Sequence, residues 1–197
     1  MLNCLDVARY FIAKAYEDGR ETTITNMKVQ KLLYYSQSLH LALFDSCLFP
    51  EPIQAWRYGP VCPPAYHFYS QFEAEQLPIP QNDLILKSLT EETQQVLEEV
   101  WDYFGINHAY ILSDMTHLEF PWKKARRRLP PTAASREEIP PEDLKLLGEQ
   151  KLDEIEQAHP AYSLILSHAL AEAKQPNSAP QYIEAEAIHD WISTLLT

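Results

Sequence analysis

The sequence predicts a mainly α-helical protein: a compact multi-helix domain with a short β element near residues 53–58 and a C-terminal acidic helical extension. Three observations predict it. Apolar side chains recur at i, i+3, i+4 and i+7 in segment after segment, the period of a helix with one buried face. Text suited to a strand is confined to one stretch flanked by prolines. Finally, 46% apolar and 22% charged residues over 197 positions is the composition of a soluble globular chain, long enough to bury about 70% of its unfolded surface without disulfides or metal. The expected organisation is one domain over residues 1–150 and an extension over 151–197, either separate or packed on the same domain.

Each element has its own signal. Residues 2–18 place Leu5, Ala8, Ile12, Ala15 and Tyr16 on one stripe and end at Gly19. Thr25 or Asn26 caps a longer helix, MKVQKLLYYSQSLHLALFD, with Val29, Leu32, Leu33, Ser36, Leu39, His40 and Leu43 at helical spacing, and with Lys28 and Lys31 expected on a solvated side. From Phe49 to Pro64 five prolines exclude a helix until one starts at Pro64, and IQAWRY between them reads as a short strand. Ala65–Phe72 reads as a short aromatic helix and 77–82 as a loop. Thr90, followed by Glu91 and Glu92, opens a helix with Val96, Leu97, Val100, Trp101 and Phe104 on its apolar face. Asn107 is the expected cap of a helix to about His117, and Pro121 permits a new start at PWKKARRR. Residues 130–141, bracketed by four prolines, read as a linker or surface loop. Three helical segments follow, over 142–158, 161–174 and 183–196.

Composition also excludes functions. Acidic residues outnumber basic ones 28 to 16, a net charge of -12, which argues against a nucleic-acid binder acting through overall charge. The acid is uneven: residues 137–197 hold 12 acidic and 3 basic side chains, leaving 16 and 13 in residues 1–136. Gly19, Gly59, Gly105 and Gly148 stand too far apart for a phosphate-binding loop. Three cysteines without CxxC spacing suit a reducing compartment, MLNCLDVARYF lacks the form of a secretory leader, and no apolar run of about 20 residues is present, so a cytoplasmic protein without membrane insertion is expected.

No catalytic, cofactor or metal site is expected. His40, Cys47, Cys62 and His67 lack the tight pair spacing of structural zinc sites. The His117-Leu118-Glu119 sequence has the HxE of zinc deaminases, but all three cysteines precede it, the wrong order for that motif. No nucleophile elbow is present. The basic run Lys123, Lys124, Arg126, Arg127 and Arg128 suits a phosphate-binding patch or a docking surface, or folds back on the acidic C-terminal segment. Aromatic residues crowd the first two thirds; most belong to a core, while Tyr and Trp also anchor interfaces.

Three segments in order, MKVQKLLYYSQSLHLA (Met27–Ala42), IQAWRYGPVCPPAYHFY (Ile53–Tyr69) and MTHLEFPWKKAR (Met115–Arg126), resemble the Panacea domain, the SocA-like antitoxin domain of bacteria and phages, over about residues 1–150. The resemblance implies a mainly helical, non-enzymatic domain that neutralises a cognate protein toxin, usually encoded beside it, by binding it directly; one family member is instead described as a proteolytic adaptor. It carries no catalytic residues over. The positions put forward for partner contact are Tyr34, Tyr35, Trp56, Tyr58, His117, Glu119 and Trp122, with Lys123, Lys124, Arg126, Arg127 and Arg128. Among the motif residues, Gly59-Pro60 fits a tight turn and Trp122 a buried anchor, which makes a structural role the favoured one. A nucleic-acid-contacting regulator using the Lys123–Arg128 run is the alternative. The region after Leu147 departs from the family pattern and is either a partner-specificity element or a closing bundle.

Overall fold

The computed structural model describes residues 2–80, 89–130 and 132–158. The elements run α1 (Cys4–Glu17), α2 (Asn26–Phe44), β1 (Gln54–Trp56), β2 (Gly59–Val61), α3 (Pro63–Tyr69), α4 (Glu91–Phe104), α5 (Ala109–Leu118), α6 (Phe120–Ala125) and α7 (Pro141–Ala158). The fold is mainly α, as predicted. The chain divides into two units, Met1–Leu152 and Asp153–Thr197; of the second, residues 153–158 are described and belong to α7. The helices expected over 161–174 and 183–196 lie outside the described residues.

Helix starts follow local chemistry. Asn3 and Asp6 close a capping box on α1, Thr25 accepts the Lys28 N–H at the start of α2, and Thr90 accepts that of Thr93 at the start of α4. Pro63, not Pro64, opens α3. At α5 the cap is His108 instead of Asn107: the His108 ring nitrogen accepts the Tyr110 N–H at 3.4 Å, while the Asn107 amide turns back to donate to the Phe104 carbonyl.

Helix α2 is the axis of the fold, packed by α1, α3, α4, α5 and β2. Its residues from Lys28 to Leu39 are all buried, so no solvated side exists along that length. This overturns the expectation for Lys28 and Lys31, each 1% exposed. Around α2, Phe11 stacks on Trp101 at 6.3 Å between ring centroids, and Tyr35 lies flat on Phe104 at 3.8 Å. Burying each Leu or Phe of this layer contributes about 1.5–3 kcal/mol.

The polar side chains of α2 act as surrogate backbone for the segments around it. Gln37 accepts the N–H groups of Leu48 and Phe49 and donates to the Phe49 carbonyl. Gln30 accepts the Cys62 N–H and donates to Asn26, which donates to the Tyr66 carbonyl. Lys28 Nζ donates to the Gly105 carbonyl at 2.7 Å and to the Thr23 hydroxyl, and lies 5.6 Å from the Trp101 ring centre. Buried main-chain groups of loops need such partners.

Strands β1 and β2 form an antiparallel hairpin with Gln54 opposite Val61 and Trp56 opposite Gly59. The stretch expected to be a plain loop, 130–141, contributes a further edge: the Ala55 N–H donates to the Glu137 carbonyl and the Ile139 N–H to the Ile53 carbonyl. Helix α7 then seats Leu144, Leu147 and Gly148 in the core. Gly148 rests on the backbone of Ser38, leaving no room for a Cβ.

Candidate partner-binding groove

The hairpin is held from below by side chains of three separate segments. Lys31 Nζ donates to the carbonyls of Tyr58 (2.7 Å) and Pro60 (3.0 Å), and Ser113 Oγ donates to the Tyr58 carbonyl as well. Trp122 Nε1 donates to the Trp56 carbonyl at 2.8 Å. Arg126 donates to the carbonyls of Ala55, Pro130 and Ala133 while its guanidinium covers the Trp122 ring at 5.0 Å. The turn closes at Gly59, whose φ of +100° and whose proximity to Lys31 Nζ and Thr116 Oγ1 exclude a side chain. With its backbone so occupied, the hairpin turns the side chains of Trp56, Arg57 and Tyr58 outward into a groove.

That groove encloses about 1120 Å³. Its walls come from the start of α2, the hairpin, α3, the start of α5 and the 134–136 loop. Trp56 packs edge-on against Tyr66 at 4.9 Å and near His67, and its Nε1 donates to Gln54. Tyr58 is 61% exposed and Tyr110 65% exposed. Lys31 forms part of the floor; burial lowers its pKa from 10.5 to about 7.

The residues put forward for partner contact separate into three places. Trp56 and Tyr58 line the groove. Tyr34, Tyr35 and Glu119 are buried: the Tyr35 hydroxyl donates to Glu119 Oε1 at 3.0 Å, and Lys151 of α7 pairs with the same oxygen at 3.3 Å. Burial raises the Glu119 pKa, opposed by the Lys151 charge and by the tyrosine hydrogen bonds; Tyr34 is pushed well up by burial first and then by the Glu119 charge. His117 lies half-buried against Trp122, ring centres 4.4 Å apart, and its pKa is lowered by burial and then by the Lys31 charge. Trp122, expected as a buried anchor, is only half-buried and is held by its indole N–H on the Trp56 carbonyl.

The basic run is dispersed. Arg126 is 4% exposed and serves the hairpin, and Lys124 pairs at 2.7 Å with the buried Asp143. Lys123, Arg127 and Arg128 remain exposed. The run therefore does not present five cations on one surface; in part it folds back on an acid of α7, as one of the sequence readings held. Sequence reasoning missed the groove residues Arg57, Tyr66, His67, His108, Tyr110 and Arg136. Arg57, Tyr66 and His67 lie within the Ile53–Tyr69 segment without any mark of a groove, and the six residues are brought together from four separate segments.

Among the described residues no group of three or more His, Cys, Asp or Glu is arranged to hold a metal ion, and no helix is long and apolar enough to cross a membrane. Residues 29–123 match the family model for the antitoxin SocA-like, Panacea domain. They form a Panacea domain. Comparison with curated proteins and with solved structures gives no match. The Panacea match begins on α2 and ends at α6, so it takes in the hairpin, α3 and the start of α5; the 134–136 wall of the groove and the α7 partners of Lys124 and Glu119 lie beyond it. The family is one of antitoxins, which supports a toxin-antitoxin role in general.

Proposed function

We propose that this protein is a non-enzymatic antitoxin of the cytoplasm that neutralises a protein toxin by binding it directly, and that the groove beside the hairpin is the contact surface. The observation that carries the reading is the pairing of an antitoxin-family domain with exposed aromatic residues around that groove: Tyr58 and Tyr110 stand above half exposure beside Trp56. Large amphipathic rings fixed on a rigid backbone supply contact area at low entropic cost, the pattern of interface anchors. Along α5 and just before it, Ile106, Ile111 and Leu118 are further exposed apolar side chains, with the exposed Asp114 between them. A grouping of this kind marks a surface meant for a partner.

Nucleic-acid contact through residues 123–128 is the weaker reading, because Arg126 is buried under the hairpin and Lys124, though exposed, is paired with Asp143. Expression of the adjacent reading frame, alone and together with this chain, tests the main reading. Growth arrest by the first, relief by the second, and a complex that survives purification are expected; a frame that is harmless alone, or one relieved without any complex, contradicts direct neutralisation.

A further inference from the structure

The charges around the groove run against those of the whole chain. Of its lining residues only Glu73 is acidic, whereas Arg57, Arg136 and the buried Lys31 are basic, in a protein of net charge -12. Arg57 and Arg136 are both exposed, and neither belongs to any ion pair among the described residues. Arg57 lies over the Tyr58 ring at 5.1 Å, which holds its guanidinium at the lip of the groove. Arg136 comes from the 134–136 loop, which leads into the edge paired with β1 and so lies alongside the hairpin. Arginines without an ion pair beside exposed aromatic rings are suited to carboxylates that arrive with apolar neighbours.

Charge, lining and size together point to the class of ligand. Pockets for small molecules hold roughly 300–1,000 Å³, and this groove, at about 1120 Å³, lies at the top of that range, with room for several residues of a chain and with Tyr58 and Tyr110 exposed at its edge. We infer that the groove receives an acidic segment of the partner protein, several residues long, whose carboxylates meet Arg57 and Arg136 and whose apolar or aromatic side chains lie against Trp56, Tyr58 and Tyr110. The inference rests on the antitoxin reading for the identity of the partner as a toxin, but not for the chemistry of the groove. The partner's charge steers its approach and its apolar residues hold it.

Defined peptides test this without any toxin, so failure here is separate from failure of the rescue experiment above. The probes are a fluorescein-labelled ten-residue peptide alternating Glu with Leu and Trp, and its counterpart with Lys in place of every Glu. Fluorescence polarisation with the full-length protein at 50 mM salt is expected to show binding of the acidic peptide, at least tenfold weaker for the lysine peptide, and weakening as salt rises. The R57E/R136E variant, whose changes lie on exposed side chains, should lose the acidic peptide by tenfold or more and gain the lysine peptide. Matching melting curves establish that this variant folds, and the salt titration of the wild type stands by itself should it not. Equal affinity for the two peptides, affinity independent of salt, or undiminished binding by a folded R57E/R136E overturns the inference.

Discussion

Two buried lysines and one buried carboxylate do most to set the character of the interior at the scale of single residues. Lys31 has its pKa lowered by burial to about 7, against 10.5 when solvated. Between pH 7 and 10 the unfolded chain therefore carries one more proton than the folded one, and this group makes stability rise with pH across that window; below pH 7 both states hold the proton and its contribution is flat. The pKa of His117 is lowered by the same burial and by the Lys31 charge. From pH 7 to 8.5 the unfolding free energy of the wild type should rise relative to that of K31M by up to about 2 kcal/mol, at 1.36 kcal/mol for each proton and pH unit. Urea titrations at several pH values measure it, and parallel curves for the two proteins would sink the assignment. Glu119 and Lys151 make a complementary pair. Because each has lost most of its water, removing one leaves the other's charge poorly compensated, and E119Q should cost about 3 kcal/mol or more, with a double-mutant cycle against K151M giving a coupling of about 1 kcal/mol or more.

What was legible in the sequence at this scale was legible because its cause is local. Thr90 and the stripe from Val96 to Phe104 define α4 within fifteen residues of text, and the helix occupies that span. The burial of Lys28 and Lys31 has no local cause. Their acceptors are the carbonyls of Gly105, Tyr58 and Pro60, up to 77 residues away, and a lysine on a helix otherwise reads as solvated. The cap of α5 was misplaced by one residue for a similar reason: an asparagine has the stronger capping preference, but here its amide already serves Phe104.

Among the elements, α2 and the hairpin are one device. The helix supplies side chains that end the hydrogen-bonding needs of the loops, and the hairpin in return exposes its aromatic side chains to the groove. Gly59 is where the two are closest. A Cβ there would sit 2.5 Å from Lys31 Nζ on a backbone with φ of +100°, so G59A should destabilise the protein by about 2–4 kcal/mol, through strain and through displacement of the lysine. A chemical-denaturation midpoint unchanged from wild type would contradict this. The basic run of the sequence is likewise an element-level feature. Its members split between stapling the hairpin (Arg126), holding α7 (Lys124) and solvent (Lys123, Arg127, Arg128), which text alone cannot distinguish.

On the scale of the whole molecule, the family match over residues 29–123 is shorter than the unit that packs together. Ile139 pairs with Ile53, Asp143 with Lys124, and Lys151 with Glu119, all from beyond the match. A chain ended at residue 130 should lose cooperative thermal unfolding and bind hydrophobic dye, whereas the full chain should melt in a single transition over residues of this unit; equal melting of the two would show that α7 is dispensable. The resemblance read from three motifs foresaw the family, and three of the motif residues, Lys31, Trp122 and Arg126, fix the hairpin in place. The groove itself was not foreseen: one side of it lies in the Ile53–Tyr69 segment, but the start of α2, the start of α5 and the 134–136 loop join it only through the fold. Net charge changes meaning in the same way: -12 describes the chain, while the groove carries an excess of base.

The central claim is that this groove is where the toxin is held. The most direct measurement is the dissociation constant of the purified pair, this protein with the product of the adjacent lethal frame, for the wild type and for Y58A/Y110A, two exposed side chains whose loss leaves the core intact. Weakening of tenfold or more with an unchanged melting temperature is predicted. A folded Y58A/Y110A that binds the toxin as tightly as the wild type would contradict the account.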